Sequence, residues 1–192
     1  MAYLANMAFE PRVTNNEFDA LCNLTGKYQE SSAAADCSPG LLCVRDTLLP
    51  CEGFGSEVFN ENAYYMVAAD STATAPIYAC NPHDAQMGTV AGNHYYIGAE
   101  TLQVGVPADR YGCFTKIAFD NVSKYRFGVG ILGSASLTSD AYFVLAGDGL
   151  LSQAAAAPSD AGTPYFVLMG KGTFTEGTTN SFGYVDLEAH LA

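Results

Sequence analysis

A mainly β protein, an antiparallel β-sandwich or barrel-like domain behind an irregular N-terminal arm, is the fold class this sequence predicts. Three observations carry that expectation. Apolar residues recur with period two in several short runs rich in Tyr, Phe, Val and Ile. Clusters of Gly, Asp, Asn and Pro, with 19 glycines in 192 residues, separate those runs. Helical periodicity is nearly missing, which directs the reading to a sandwich or barrel.

Taken in chain order, residues 1–40 read as an arm or lead-in and residues 41–192 as the β domain. Within the arm, Asn16 suits a helix cap, with Phe18, Leu21 and Cys22 on one face of a short helix. Ser31 to Asp36 reads as a linker and Ser38-Pro39-Gly40 as a turn. In the β domain, Ala63 to Ala68 and Pro76 to Cys80 read as strands. His94 to Gly98 and the alternating Leu102, Val104 and Val106 follow, then Cys113 to Phe119. The cleanest period-two run sets Tyr125, Phe127, Val129 and Ile131 against Lys124, Arg126, Gly128 and Gly130. Ala141 to Ala146, Tyr165 to Met169 and Phe182 to Leu187 complete the set. Gln153 to Ala157 departs from the strand pattern and would stop at Pro158. Gly147-Asp148-Gly149 and Gly170-Lys171-Gly172-Thr173 both read as turns.

One phrase recurs: Ala63 to Asp70 is echoed by Ala141 to Asp148 and, more faintly, by Pro164 to Gly170. The irregular spacing argues against a solenoid and suggests similar buried strands within one sheet system, with an internal duplication as the alternative. The pairs Tyr64-Tyr65, Tyr95-Tyr96, Tyr142-Phe143 and Tyr165-Phe166 should each send one ring inward and the other outward, because strand neighbours point to opposite faces. A row of outward rings would make an interface for protein or sugar.

Charge limits the function classes. With 20 acidic and 8 basic residues the formal charge is −12, so the field repels nucleic-acid backbones and anionic lipid. Charged residues make up 15% of the chain and hydrophobic ones 49%, a balance that suits a packed core. No run of about 18 apolar residues suggests a membrane helix. The opening lacks a basic, then apolar, leader pattern, so no signal peptide is expected and synthesis in a cytoplasm follows. For the six cysteines, Cys22, Cys37, Cys43, Cys51, Cys80 and Cys113, reduced thiols are therefore the default expectation, with oxidation after cell lysis as the alternative.

No motif organises a catalytic site. Cys80 and His83 form one Cys-x-x-His pair, with His94 and Cys113 downstream, but a structural zinc normally draws on two such pairs. The histidines His83, His94 and His190 lie in no nucleophile context, and Gly170 to Thr173 lacks the spacing of a phosphate loop. The expectation is no enzyme, no metal and no cofactor.

The start Met1-Ala2-Tyr3-Leu4-Ala5-Asn6-Met7-Ala8, the irregular lead-in and the Gly-, Ala- and Thr-rich acidic β domain together resemble the capsid decoration, or head auxiliary, proteins of tailed phages. That resemblance implies many copies on the outside of a virion shell, made in the host cytoplasm. The partners would be the major capsid protein and further copies of the same chain, with no nucleic acid or membrane. Contact is expected through Met1, Tyr3, Leu4, Met7, Phe9 and Arg12 of the arm and through the basic stretch Arg110, Lys116, Lys124 and Arg126. The alternative is a β-sandwich module that binds glycan or a receptor, as in a head fibre or tail component.

Overall fold

The structure, a computed structural model, describes residues 7, 9–13, 24–50, 59–81, 88–90, 93–95, 105–133, 137, 142–176 and 180–192. It is mainly β, as expected. The strands are β1 (Phe9–Val13), β2 (Leu24–Glu30), β3 (Ala33–Ala34), β4 (Leu42–Pro50), β5 (Phe59–Ala68), β6 (Tyr78–Cys80), β7 (Gly88–Val90) and β8 (Asn93–Tyr95). They continue as β9 (Gly112–Lys116), β10 (Lys124–Gly128), β11 (Tyr142–Gly147), β12 (Leu150–Ala154), β13 (Pro164–Glu176) and β14 (Asn180–Leu191).

Two six-stranded sheets divide the work. The first is open, in the order β1-β10-β14-β13-β11-β12, and its pairings are all antiparallel. The second runs β3-β2-β5-β4-β6-β9, and an added β2–β9 pairing closes five of its strands into a small barrel. Here β2 lies parallel to β5, an exception to the antiparallel pattern. β7 and β8 pair as a separate ribbon.

Closure of the barrel depends on two glycines. Gly26 of β2 and Gly112 of β9 are register partners in the seam. A Cβ on Gly26 would sit 2.6 Å from Cγ of Met66 and 2.7 Å from the Tyr64 carbonyl oxygen, and one on Gly112 would sit 2.5 Å from a Val106 methyl. Removing both side chains lets the strands curl inward until the seam can bond.

A single hydrophobic core runs between the sheets. From the first come Phe9, Tyr125, Phe127, Phe143, Phe166, Val185 and Leu187; from the second come Tyr28, Leu42, Met66, Ile77 and Phe114. Phe9 stacks on Tyr125 at 5.9 Å and tilts against Phe127 at 5.3 Å, while Phe127 meets Phe166 edge-on at 6.0 Å. The Tyr125 hydroxyl accepts the Ala118 N–H at 2.8 Å, so its polar tip is satisfied inside.

Several expectations are corrected by this architecture. Residue 40 is not a boundary: β1 is an edge strand of the first sheet and β2 is a barrel stave. Burial explains it, since Leu24, Gly26 and Tyr28 alternate inward with Thr25, Lys27 and Gln29, a period-two pattern in which glycine holds an interior position. The helix expected from Asn16 and the residues Leu102 and Val104 lie outside the described residues, as do 96–98 of the strand expected from His94. Val106 makes an isolated bridge to Cys37.

β10 ends at Gly128, and Val129–Leu132 turn into a 3-10 segment that buries Ile131 and Leu132. Gln153 belongs to β12, the second arm of a hairpin with β11. The expected turn at Gly147-Asp148-Gly149 is present there, with positive φ at all three residues. Gly170 to Thr173, read as a turn, lies inside β13, where a register shift falls between Leu168 and Gly170. Gly172 is small there for a different reason: a Cβ would sit 2.5 Å from the Tyr184 hydroxyl. Of the three echoed phrases, two fall on the neighbouring strands β11 and β13, whereas the third is β5 of the other sheet.

Candidate functional site

The outer face of the first sheet carries the most organised surface among the described residues. Alternation puts Tyr125 and Phe127 of β10 inside and leaves Lys124 and Arg126 on the outer side, opposite Glu188 and Asp186 of β14. Arg126 donates to Asp186 through two nitrogens, Nε at 2.7 Å and a terminal nitrogen at 2.8 Å. Its guanidinium also lies 3.8 Å from the centre of the Tyr184 ring. Such a forked, stacked arrangement fixes a long side chain that would otherwise sample many rotamers.

A second cluster shares that face. Glu188 meets Lys124 at 3.5 Å and His190 Nε2 at 2.9 Å. His190 stacks on Tyr165 at 5.2 Å, and Tyr165 tilts against Tyr142 at 6.2 Å. Tyr142, Tyr165 and His190 thus form a row across β11, β13 and β14. Their neighbours Phe143 and Phe166 are fully buried, so the inward and outward division expected of the aromatic pairs is met in both cases.

The β11–β12 turn clasps the two sheets together. It docks Gly149 on β4 and the residue after β5: Leu42 N–H donates to Gly149 O at 3.0 Å, Gly149 N–H to Ala69 O at 2.9 Å, and Ala69 N–H to Leu42 O at 2.9 Å. Gly149, at φ +72°, fits only without a side chain, because a Cβ would sit 2.6 Å from the Leu42 carbonyl oxygen. Beside the clasp lies a cleft of about 570 Å³ with Leu41, Val67 and Leu150 among its apolar walls and Glu30, Asp36 and Asp148 around it. The buried Tyr28 hydroxyl donates to Glu30 at 3.3 Å, and burial, then nearby thiols and Glu30, push its ionisation well above the ordinary range. Asp36 accepts the Ala108 N–H at 2.8 Å. Acidic groups around an apolar floor suit a cation carried on an aliphatic stem, such as lysine or arginine.

The residues nominated from sequence do not converge on one surface. Met7 and Phe9, expected as shell contacts, are 2% and 1% exposed and belong to the core. The aromatic cluster with Tyr125 and Phe127 holds Phe9 there. Met1, Tyr3 and Leu4 lie outside the described residues, and Arg12 is placed by its backbone in β1. Arg110 is exposed in the turn before β9, and Lys116 is exposed at the end of β9 in the barrel. Lys124 and Arg126 are across the crossover, in the other sheet. These two are matched by carboxylates, so this face offers paired charge and aromatic rings in place of a basic patch.

Cys113 is disulfide-bonded, which corrects the expectation of reduced thiols throughout. Cys37, Cys43 and Cys80 are free and buried. Among the described residues no group of His, Cys, Asp or Glu could hold a metal ion, and no helix is long and apolar enough to cross a membrane. No family model, curated protein or solved structure matches the chain.

Proposed function

We propose that this chain is a structural virion protein, a capsid decoration component that binds the outside of a phage head and reinforces it, with the coat protein and further copies of itself as partners. The observation that carries the reading is the outer face of the first sheet. Its Arg126, Asp186, Tyr184, Tyr165 and His190 side chains are already fixed by ion pairs and ring contacts. A face ordered before its partner arrives loses little side-chain entropy on docking, which suits a part that must attach in many copies. The acid-flanked cleft adds a place for a basic side chain of a coat subunit.

Density-gradient fractionation of the native source with quantitative mass spectrometry tests the proposal. Co-sedimentation with particles at copy numbers near that of the coat protein is the expected result; absence from particles overturns it. With the purified chain, Tyr165→Ala and Arg126→Glu should weaken attachment to undecorated heads while circular dichroism stays unchanged.

A glycan- or receptor-binding module is the second reading, and the Tyr142–Tyr165–His190 row favours it, since sugar rings stack on aromatic faces beside carboxylate acceptors. Glycan-array signal that Tyr165→Ala removes, with only a few copies per particle, would select it.

A further inference from the structure

Three cysteine side chains from separate segments converge inside the barrel. Cys37 precedes β4 and bridges to Val106, Cys43 is in β4, and Cys80 ends β6. All three are fully buried. The Cys80 thiol lies 3.9 Å from the Cys37 carbonyl oxygen, and the Cys43 thiol donates to Leu41 O at 3.6 Å. The backbone holds the segments in place, with Gly40 N–H donating to Cys80 O at 2.7 Å and Cys80 N–H to Leu41 O at 3.0 Å. Cys37 is the centre of the group: its carbonyl oxygen faces the Cys80 thiol, and Cys43 and Cys80 are both among the neighbours that act on its own thiol.

We propose that this trio is a cross-linking site in which Cys37 forms a disulfide with one of its two neighbours when the chain folds in the presence of a small-molecule disulfide. The inference is independent of the proposed virion role. Segments tied together by the Gly40–Cys80 and Cys80–Leu41 backbone bonds keep these buried thiols neighbours, which is the condition for bridging them with limited backbone movement.

The step balances as thiol–disulfide exchange. One cysteine thiolate attacks the oxidant, forming a mixed disulfide and releasing one small thiol. The second cysteine, as thiolate, displaces the other small thiol and leaves a protein S–S bond. Two protein thiols are oxidised and one small disulfide is reduced to two thiols. Burial, with the neighbouring thiols, pushes the Cys37 thiol well above its ordinary range, so the folded protein presents almost no thiolate there. Oxidation therefore belongs to the folding chain, and the same burial shields the finished bond from reductants.

The test refolds the full chain with oxidised and reduced glutathione, alkylates under denaturing conditions, and maps Cys37, Cys43 and Cys80 by peptide mass spectrometry. Expected is a disulfide joining Cys37 to Cys80 or to Cys43, with the third position alkylated. Under the same glutathione refolding, which leaves the Cys113 disulfide to form in both, wild type should melt about 5–10 °C above Cys37→Ser. Cys37→Ala should leave Cys43 and Cys80 both alkylated, while Cys43→Ala should keep a Cys37–Cys80 bond, which guards against a variant that fails to fold. Full alkylation of all three positions in folded wild type, or a Cys43–Cys80 bond, overturns the proposal.

Discussion

The two sheets of this protein solve the same burial problem differently. The open first sheet commits one face to the core through Phe9, Tyr125, Phe127, Phe143 and Phe166 and leaves the other face for ordered polar and aromatic side chains. The second closes on itself, so its interior combines the Tyr28 and Phe114 rings with smaller or more flexible groups, Met66 against Gly26 and three buried thiols. An open sheet has a free face to offer a partner, whereas a closed barrel uses its inward side for its own stability. On the proposed virion role, binding falls to the first sheet and scaffolding to the second.

Because one core cluster spans both sheets, the comparison is most severely tested there. Phe127→Ala removes a fully buried ring in contact with Phe9 and Phe166 and should cost about 3–5 kcal/mol. Urea unfolding followed by tyrosine fluorescence and by far-UV circular dichroism should still give one coincident transition, at lower denaturant. Two separated transitions would mean that each sheet is a folding unit of its own, and the division of labour would become a division into domains.

The barrel seam gives the next largest effect. Gly26→Ala drives a methyl against the Tyr64 carbonyl, a strand backbone atom that cannot swing away, and should cost about 2–3 kcal/mol. Gly112→Ala has its nearest contacts on the buried side chain of Val106, which is stiff but is not backbone, and should cost about 1–2 kcal/mol. Thermal melts of the two variants measure the ratio. Equal and small losses would show that the seam opens easily and that closure contributes little.

What the sequence disclosed follows the same division. β10 was readable because a half-exposed strand alternates Lys124 and Arg126 with Tyr125 and Phe127. β2 alternates too, but its central inward residue is Gly26, which carries no hydrophobic signal, and its parallel pairing with β5 is set by distant chain segments. Gly170 and Gly172 resemble punctuation, yet Gly172 makes room for the Tyr184 ring within a continuous strand. The nominated basic stretch from Arg110 to Arg126 is contiguous in sequence but crosses from one sheet to the other, so proximity along the chain misled. His190 had no local context at all, since its partners Glu188 and Tyr165 depend on strand periodicity and the β13–β14 register.

A carboxylate ties that crossover internally, beside the backbone bonds that join Asn121 and Ser123 to Ala189. Asp120 accepts the N–H groups of Val122 at 3.1 Å and Ser123 at 2.7 Å, and the Ser123 hydroxyl at 3.0 Å. Partial burial pushes the carboxyl upward, but those hydrogen bonds prevail and hold it below the ordinary carboxylate range. A depressed folded value means that the stabilisation is complete above the unfolded value, about 3.9. It fades as the pH falls through the lower folded one. Asp120→Ala should therefore cost about 1–2 kcal/mol at neutral pH, with the difference from wild type shrinking in acid below the folded value. Urea titrations across that range check it, and a constant difference would show that the turn is held by other contacts.

The smallest stability effect belongs to the outer face, and that is where the assignment of roles is sharpest. Arg126 and Asp186 form a forked pair whose side chains are 14% and 24% exposed. Solvent still screens it, so a double-mutant cycle with Arg126→Gln and Asp186→Asn should yield about 0.5–1 kcal/mol of coupling in unfolding free energy. If this face exists to bind, the same single substitutions should weaken attachment to heads by more than tenfold, because a docked partner excludes water and depends on the fixed position of the guanidinium and the Tyr184 ring. A strong coupling in stability with attachment unchanged would reverse the reading, making the ladder a brace for β10 and β14 and moving the search for the docking surface to the barrel side and its acid-flanked cleft.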